Sequence, residues 1–210
     1  MSTPLNIPTE LQHALEFTLF NFELAEHIGQ FLKNEGKLEG RQIPTLVQMK
    51  GQKECVGIPG SNCGFFTTPV LHNAILDVRK VLTFMLLGLD IKGGGVLAPS
   101  RTLLRKDDHT IVTIGLRPVT ADQLANLSLR LLGKRPDQFL LEVHIYANKQ
   151  LAHLTSEQSL PDLQSIVFSC KLMREAILLF VYDASGNSRP RSRAKVEDHR
   201  GATGYSTSSG

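Results

Sequence analysis

The chain has 210 residues, 41% hydrophobic, 20% charged and 6% aromatic, with 10 Pro, 17 Gly and no Trp, the composition of a globular protein able to bury roughly 70% of its unfolded surface in one core without a metal or disulfide framework. No apolar run reaches the ~18 residues of a membrane span, and the first segment, with Glu10 and His13, lacks the basic-then-apolar order of a signal peptide, so no membrane association and a cytoplasmic location are expected. The formal charge is +3, but five of the 23 basic and only two of the 20 acidic residues lie from Ala184 onward, leaving 18 of each sign in 1–183; a neutral body of this kind offers no broad basic face for nucleic acid.

In chain order, Leu11, Ala14, Leu15, Ile28, Phe31 and Leu32 recur at helical spacing and predict a long helix over 10–33 that closes toward Asn34 and Gly36. The pattern dissolves over 37–66 into glycines and short apolar pieces, an irregular insert with one short element near Thr45 to Met49. Thr68 before Pro69 predicts the start of a second helix, with Val70, Leu71, Ala74, Ile75, Val78, Leu82 and Met85 as its apolar stripe and Gly88 as its terminator. Between Asp90 and Val119, Gly93-Gly94-Gly95 reads as a turn, since no Lys-Ser/Thr follows it as in a phosphate-cradling loop. Thr110 to Ile114, β-branched and apolar, reads as a short strand or hairpin.

Thr120 with Gln123 three residues on is a capping-box pattern, which predicts a helix to about Leu132 ended by Gly133. Pro136 opens another helix, expected to reach about Leu154 and to bury Leu140, Val143, Tyr146 or Ala147, Leu151 and Leu154. Pro161 and Asp162 open a last one, in which Ile166, Val167, Cys170, Met173, Ile177 and Phe180 repeat up to about Tyr182. From Ala184 the chain is Ser, Gly, Arg and Thr with little to bury, and a disordered basic tail is expected. The fold class expected is therefore mainly all-α, a bundle of four to five helices in 1–183 followed by the tail, 184–210.

At the end of the helix that Pro136 opens stands Ala147-Asn148-Lys149-Gln150-Leu151-Ala152-His153. This stretch resembles the motif of the HEPN superfamily, and particularly its abortive-infection branch. In that family an arginine, a polar residue and, a few residues later, a histidine from two subunits line a metal-independent ribonuclease site at a dimer interface. The resemblance covers the helical body and is specific over about seven residues. It implies a HEPN-like bundle, a host-defence or toxin-type function on RNA, a homodimer, and a protein partner or antitoxin. Matched position by position, His153 takes the place of the family histidine and Asn148 that of the polar residue. Ala147 stands where the arginine belongs, leaving Lys149 as a point charge near the site without the planar fork of a guanidinium.

The residues make chemical sense independently of the resemblance. RNA cleavage needs a group that moves a proton at neutral pH, and an unperturbed histidine does so. Asn148, Lys149 and His153 are thus the candidate catalytic residues, Glu142, Tyr146 and Lys149 fall on the same helical stripe, and Arg79 on the second helix is the basic residue able to approach them in a bundle. The competing reading is a catalytically silent interaction module in which His153 merely faces the helix dipole and Asn148 satisfies a buried polar contact. No metal or cofactor is expected: His13, His27, His72 and His144 show no ligand spacing, and the three cysteines include no Cys-x-x-Cys pair. Cys55, Cys63 and Cys170 read as reduced thiols.

Overall fold

A computed structural model describes residues 5–34, 45–48, 55–58, 63–91, 93, 95–100, 109–148 and 160–192. Five α-helices run through them in the order α1 (Thr9–Asn34), α2 (Cys63–Phe84), α3 (Ala121–Leu132), α4 (Asp137–Tyr146) and α5 (Leu163–Ile177), and two small antiparallel hairpins interrupt the series. The first hairpin pairs β1 (Thr45–Gln48) with β2 (Cys55–Ile58), Thr45 opposite Ile58. The second pairs β3 (Leu87–Asp90) with β4 (Val96–Pro99), Leu87 opposite Pro99. The mainly helical fold expected of the sequence is the one observed. None of the described helices is long and apolar enough to cross a membrane.

Helix α5 is the centre of the bundle and touches α1, α2, α3 and α4. Its sequence explains that position: Ile166, Ser169, Cys170, Leu172, Met173, Ala176 and Ile177 are all buried, an apolar surface too wide for a helix packed on one side only. Asp162 caps it, its carboxylate accepting from the backbone N–H groups of Gln164 and Ser165, which leaves fewer orphan donors in the first turn. Beyond Ile177 the helix widens into a π-helical turn, Leu178–Asp183. Against α5, α1 lays Leu11, Leu15, Leu19, Phe22 and Ala25. Ala14, expected on that stripe, is exposed. At Gly29 the two helices come so close that a Cβ would collide with the Val167 side chain.

A polar tie fixes the register of α1 on α2. Asn21 on α1 donates to the buried carboxylate of Asp77 on α2 at 2.7 Å, and Lys80 reaches the other oxygen of Asp77 at 2.9 Å. Cys170 lies fully buried beneath them, and its thiol is pushed well above the ordinary value by that burial and then by the charges of Glu26 and Asp77. It is a free cysteine.

Helix α2 begins at Cys63, six residues before Pro69, so Thr68-Pro69 lies inside it and does not start it. It ends at Phe84, and the reversal into β3 falls on Leu86, whose φ is 62°, not on Gly88, which is a strand residue. The second hairpin encloses the expected glycine turn, but Thr110–Ile114 is not a strand. Thr113 donates its hydroxyl to the Thr110 carbonyl at 2.8 Å, and Thr110 N–H donates to Thr113 Oγ1 at 2.9 Å. These local bonds close a turn that competes with strand pairing, in which Ile111 and Ile114 are buried while Val112 between them is exposed.

Helix α3 carries the capping box read from the sequence: Gln123 N–H donates to Thr120 Oγ1 at 3.2 Å and Thr120 N–H to Gln123 Oε1 at 2.8 Å. Gly133 terminates it at φ 65°. Residues 184–192, assigned to the tail, pack on the body: Leu5 N–H donates to the Ser185 carbonyl, the Asn187 amide donates to the Leu5 carbonyl, Arg189 pairs with Asp183, and Ser192 donates to Glu23. The packed chain thus extends at least nine residues past the expected boundary; Arg193, Lys195 and Arg200 lie outside the described residues.

Candidate functional site

Helices α2 and α4 and the β3–β4 hairpin surround a cleft of about 330 Å³. Arg79 and Thr83 enter it from α2, one turn apart, and the Thr83 hydroxyl donates to the Arg79 carbonyl at 3.1 Å. His144 and Asn148 enter from the end of α4, again at i and i+4 and so on one face. Gly88, Asp90, Pro99 and Ser100 of the hairpin form the third wall.

The electrostatics of the cleft are set by two groups. Arg79 makes no ion pair with a described residue. His144 has its Nδ1 buried without a hydrogen-bond partner among the described residues. Its pKa is lowered, first by burial and then by the positive charge of Arg79, so the imidazole is neutral at neutral pH. A fixed cation next to a half-desolvated neutral histidine favours an anion: an oxyanion between them would pair with the guanidinium and draw a proton onto the ring. Asp90 stands on the hairpin wall, one carboxylate oxygen accepting from Gly93 N–H at 3.2 Å.

Two residues before Asn148, Tyr146 turns the other way. Its hydroxyl lies 2.9 Å from His72 Nε2, and the two rings stack tilted at 42° with centroids 5.7 Å apart. This contact pins the last turn of α4 to α2, and the backbone beyond it, Ala147 and Asn148, follows a π-helical path. Ala147 is fully buried. A side chain at 147 points into the core, so a guanidinium there would not reach the cleft.

Of the sequence-selected site residues, Asn148 lines the cleft, while Lys149 and His153 lie outside the described residues, as do Leu151 and Leu154. Arg79 and Asn148 line the same cleft. Of the expected stripe of Glu142, Tyr146 and Lys149, Glu142 is exposed and Tyr146 is buried against His72, while Lys149 lies outside the described residues. Ligand spacing among the histidines does not single out His144. The signal present was its i, i+4 relation to Asn148. Among the described residues no group of three His, Cys, Asp or Glu side chains could hold a metal ion. No protein-family model, curated protein or solved structure matches this chain.

Proposed function

We propose that the cleft binds RNA through a phosphodiester group, in the manner of a toxin-type or host-defence HEPN-like protein, and that the chain cleaves RNA without a metal. The observation that supports this reading is the convergence of Arg79, His144 and Asn148 in one cleft. Arg79 supplies the bidentate phosphate-binding fork that Ala147 cannot, and Asn148 offers an amide donor to a non-bridging oxygen. His144 takes up a proton as the phosphate enters, which adds a second cation to the site. His153, five residues beyond Asn148, is the proton-transferring group by resemblance to the family motif, with Lys149 as an auxiliary charge. Cleavage then needs only a base for the 2′-hydroxyl proton and an acid for the leaving oxygen.

The test is binding and cleavage of an unstructured RNA oligonucleotide, with the same DNA sequence as control and chelator present throughout. Arg79→Ala should weaken RNA binding by about tenfold or more, as removal of a charge-assisted bidentate contact does. His153→Ala should abolish cleavage and leave binding in place. RNA binding that is indifferent to Arg79 would overturn the assignment of the cleft, and chelator-sensitive cleavage would overturn the metal-free chemistry.

A second reading, an interaction module without catalysis, is favoured by one feature. Phe17 on the outer face of α1 is 64% exposed and forms an apolar patch with Phe20 between His13 and Glu16. In that reading a second copy or an antitoxin-like protein covers the patch, and Phe17→Ser abolishes the association while His153→Ala has no phenotype.

A further inference from the structure

The β3–β4 hairpin turns one face toward the core and the other outward. Side chains alternate along a strand, and directly opposed residues share a face. Gly88, opposite Ala98, and Asp90, opposite Val96, therefore stand on one side, while Leu87 and Leu97 on the other are buried. Gly88, Ala98 and Asp90 all line the cleft. The hairpin thus gives the cleft a floor of two residues with nothing beyond a Cβ, and a carboxylate two residues further along β3. That carboxylate is held in place: Oδ1 accepts from Gly93 N–H at 3.2 Å, and a Cβ at Gly93 would stand 2.9 Å from Oδ2, so glycine there leaves the group undisturbed. Among the described residues Asp90 forms no ion pair, and it lines the same cleft as Arg79 without pairing with it. The complement of such a cleft carries an anionic group and, apart from it, hydrogen-bond donors.

One of the four RNA nucleotides meets that description in full. A carboxylate offers acceptors only, and two adjacent donors in one plane match both of its oxygens. Guanine N1–H and N2–H are such a pair. Adenine and cytosine set an acceptor beside the amino group, and uracil sets its single N–H between two carbonyls. Within an RNA chain each ribose keeps only one free hydroxyl, so the sugar offers no equivalent pair, and the Gly88–Ala98 floor suits the flat face of a base. On the reading that the cleft holds an RNA phosphate at Arg79, we propose that it selects guanine. The base beside that phosphate lies on Gly88 and Ala98 and donates N1–H and N2–H to Asp90, which becomes the specificity-determining residue. The substrate class is then single-stranded RNA containing guanine, since in a duplex those donors are engaged by the opposite strand.

The experiment measures binding of the full chain to 2′-fluoro pentanucleotides that carry guanine, hypoxanthine or adenine at the centre of a uridine run. These cannot be cleaved, and they have no 2′-hydroxyl to donate to Asp90. Guanine should bind about tenfold tighter than adenine, as a bidentate base contact does, with hypoxanthine, which lacks the 2-amino donor, between them. Asp90→Asn keeps an acceptor for Gly93 N–H but presents a donor where guanine needs an acceptor. It should bring the guanine-to-adenine ratio down to about one or below, while loss of the negative charge tightens adenine binding. Arg79→Ala should weaken all three. Equal affinity for guanine and adenine, with both dependent on Arg79, overturns the guanine assignment and leaves the phosphate reading standing, and a guanine preference that survives Asp90→Asn overturns it as well. Binding that ignores Arg79 overturns the phosphate reading itself and this inference with it.

Discussion

Arg174 on α5 grips Glu26 on α1 with two parallel N–H···O bonds, 2.8 Å from Nε and 3.3 Å from the terminal nitrogen, and leans 3.7 Å from Glu175 on its other side. Burial nevertheless outweighs the arginine and raises the Glu26 pKa. Removing the two partners should therefore have unequal effects. Arg174→Ala strands a half-buried carboxylate and should cost about 1–3 kcal/mol, whereas Glu26→Gln should be close to neutral. An acid whose folded pKa is raised contributes stability that is present below the ordinary glutamate value and lost as pH rises through the native one. Urea titrations of both variants across the acid range test this, and Glu26→Gln should flatten that portion of the profile.

Gly29 sets two familiar effects against each other. In an exposed helix Gly→Ala stabilises by roughly 0.5–1 kcal/mol. Here the added methyl meets Val167 on α5, and overpacking of this kind costs about 1–3 kcal/mol. The clash should win, so Gly29→Ala should lower the melting temperature, and the double variant with Val167→Ala should recover most of the loss.

Acid should weaken the fold through two histidines. Burial lowers the pKa of His72, and burial followed by Arg79 lowers that of His144. A base with a depressed folded pKa contributes stability that is complete above its ordinary value, 6.5, and lost as pH falls from there through the native pKa. The urea midpoint should decline as pH falls below the ordinary histidine value, and His144→Gln should make the decline shallower. RNA affinity should move in the opposite direction over the same interval, rising as His144 becomes easier to protonate.

The cap of α3 offers a clean measure of local contributions. Thr120→Ala removes the acceptor for Gln123 N–H and should cost about 1 kcal/mol. Gly133→Ala places a Cβ at φ 65° with nothing within 4 Å of it, so its cost, again about 1 kcal/mol, comes from the backbone alone. Chemical denaturation of the two single variants and the pair should show near-additive effects, since each acts at its own end of the helix.

The elements legible in the sequence were those whose ends are written in side chains. Thr120, Gln123 and Gly133 bound α3, and Asp162 caps α5, because each acts on backbone groups within three or four residues. The elements that were misread depend on partners distant in the chain. Helix α2 continues upstream of Pro69, and its reversal falls on a left-handed leucine where glycine was the expectation. Thr110–Ile114 has the composition of a strand, but Ile111 N–H bonds the Phe84 carbonyl at the end of α2 and the segment stays a turn. The candidate site was legible in part. Asn148 and Arg79 could be named from residue type and spacing, whereas the inward direction of Ala147 follows from how Tyr146 packs on His72. Likewise, the packing of 185–192 rests on Leu5, Asp183 and Glu23, which no composition of the tail discloses.

Cys170 gives the molecule its own reporter. Its thiol is enclosed on every side by α5 and its neighbours and held in the protonated form, so a thiol reagent can reach it only when the centre of the bundle opens. With Cys55 and Cys63 replaced by serine, the rate at which this single sulfur is labelled becomes a clock for the opening of the whole helical assembly. Ligands that bind the closed form should slow that clock by the factor their affinity dictates.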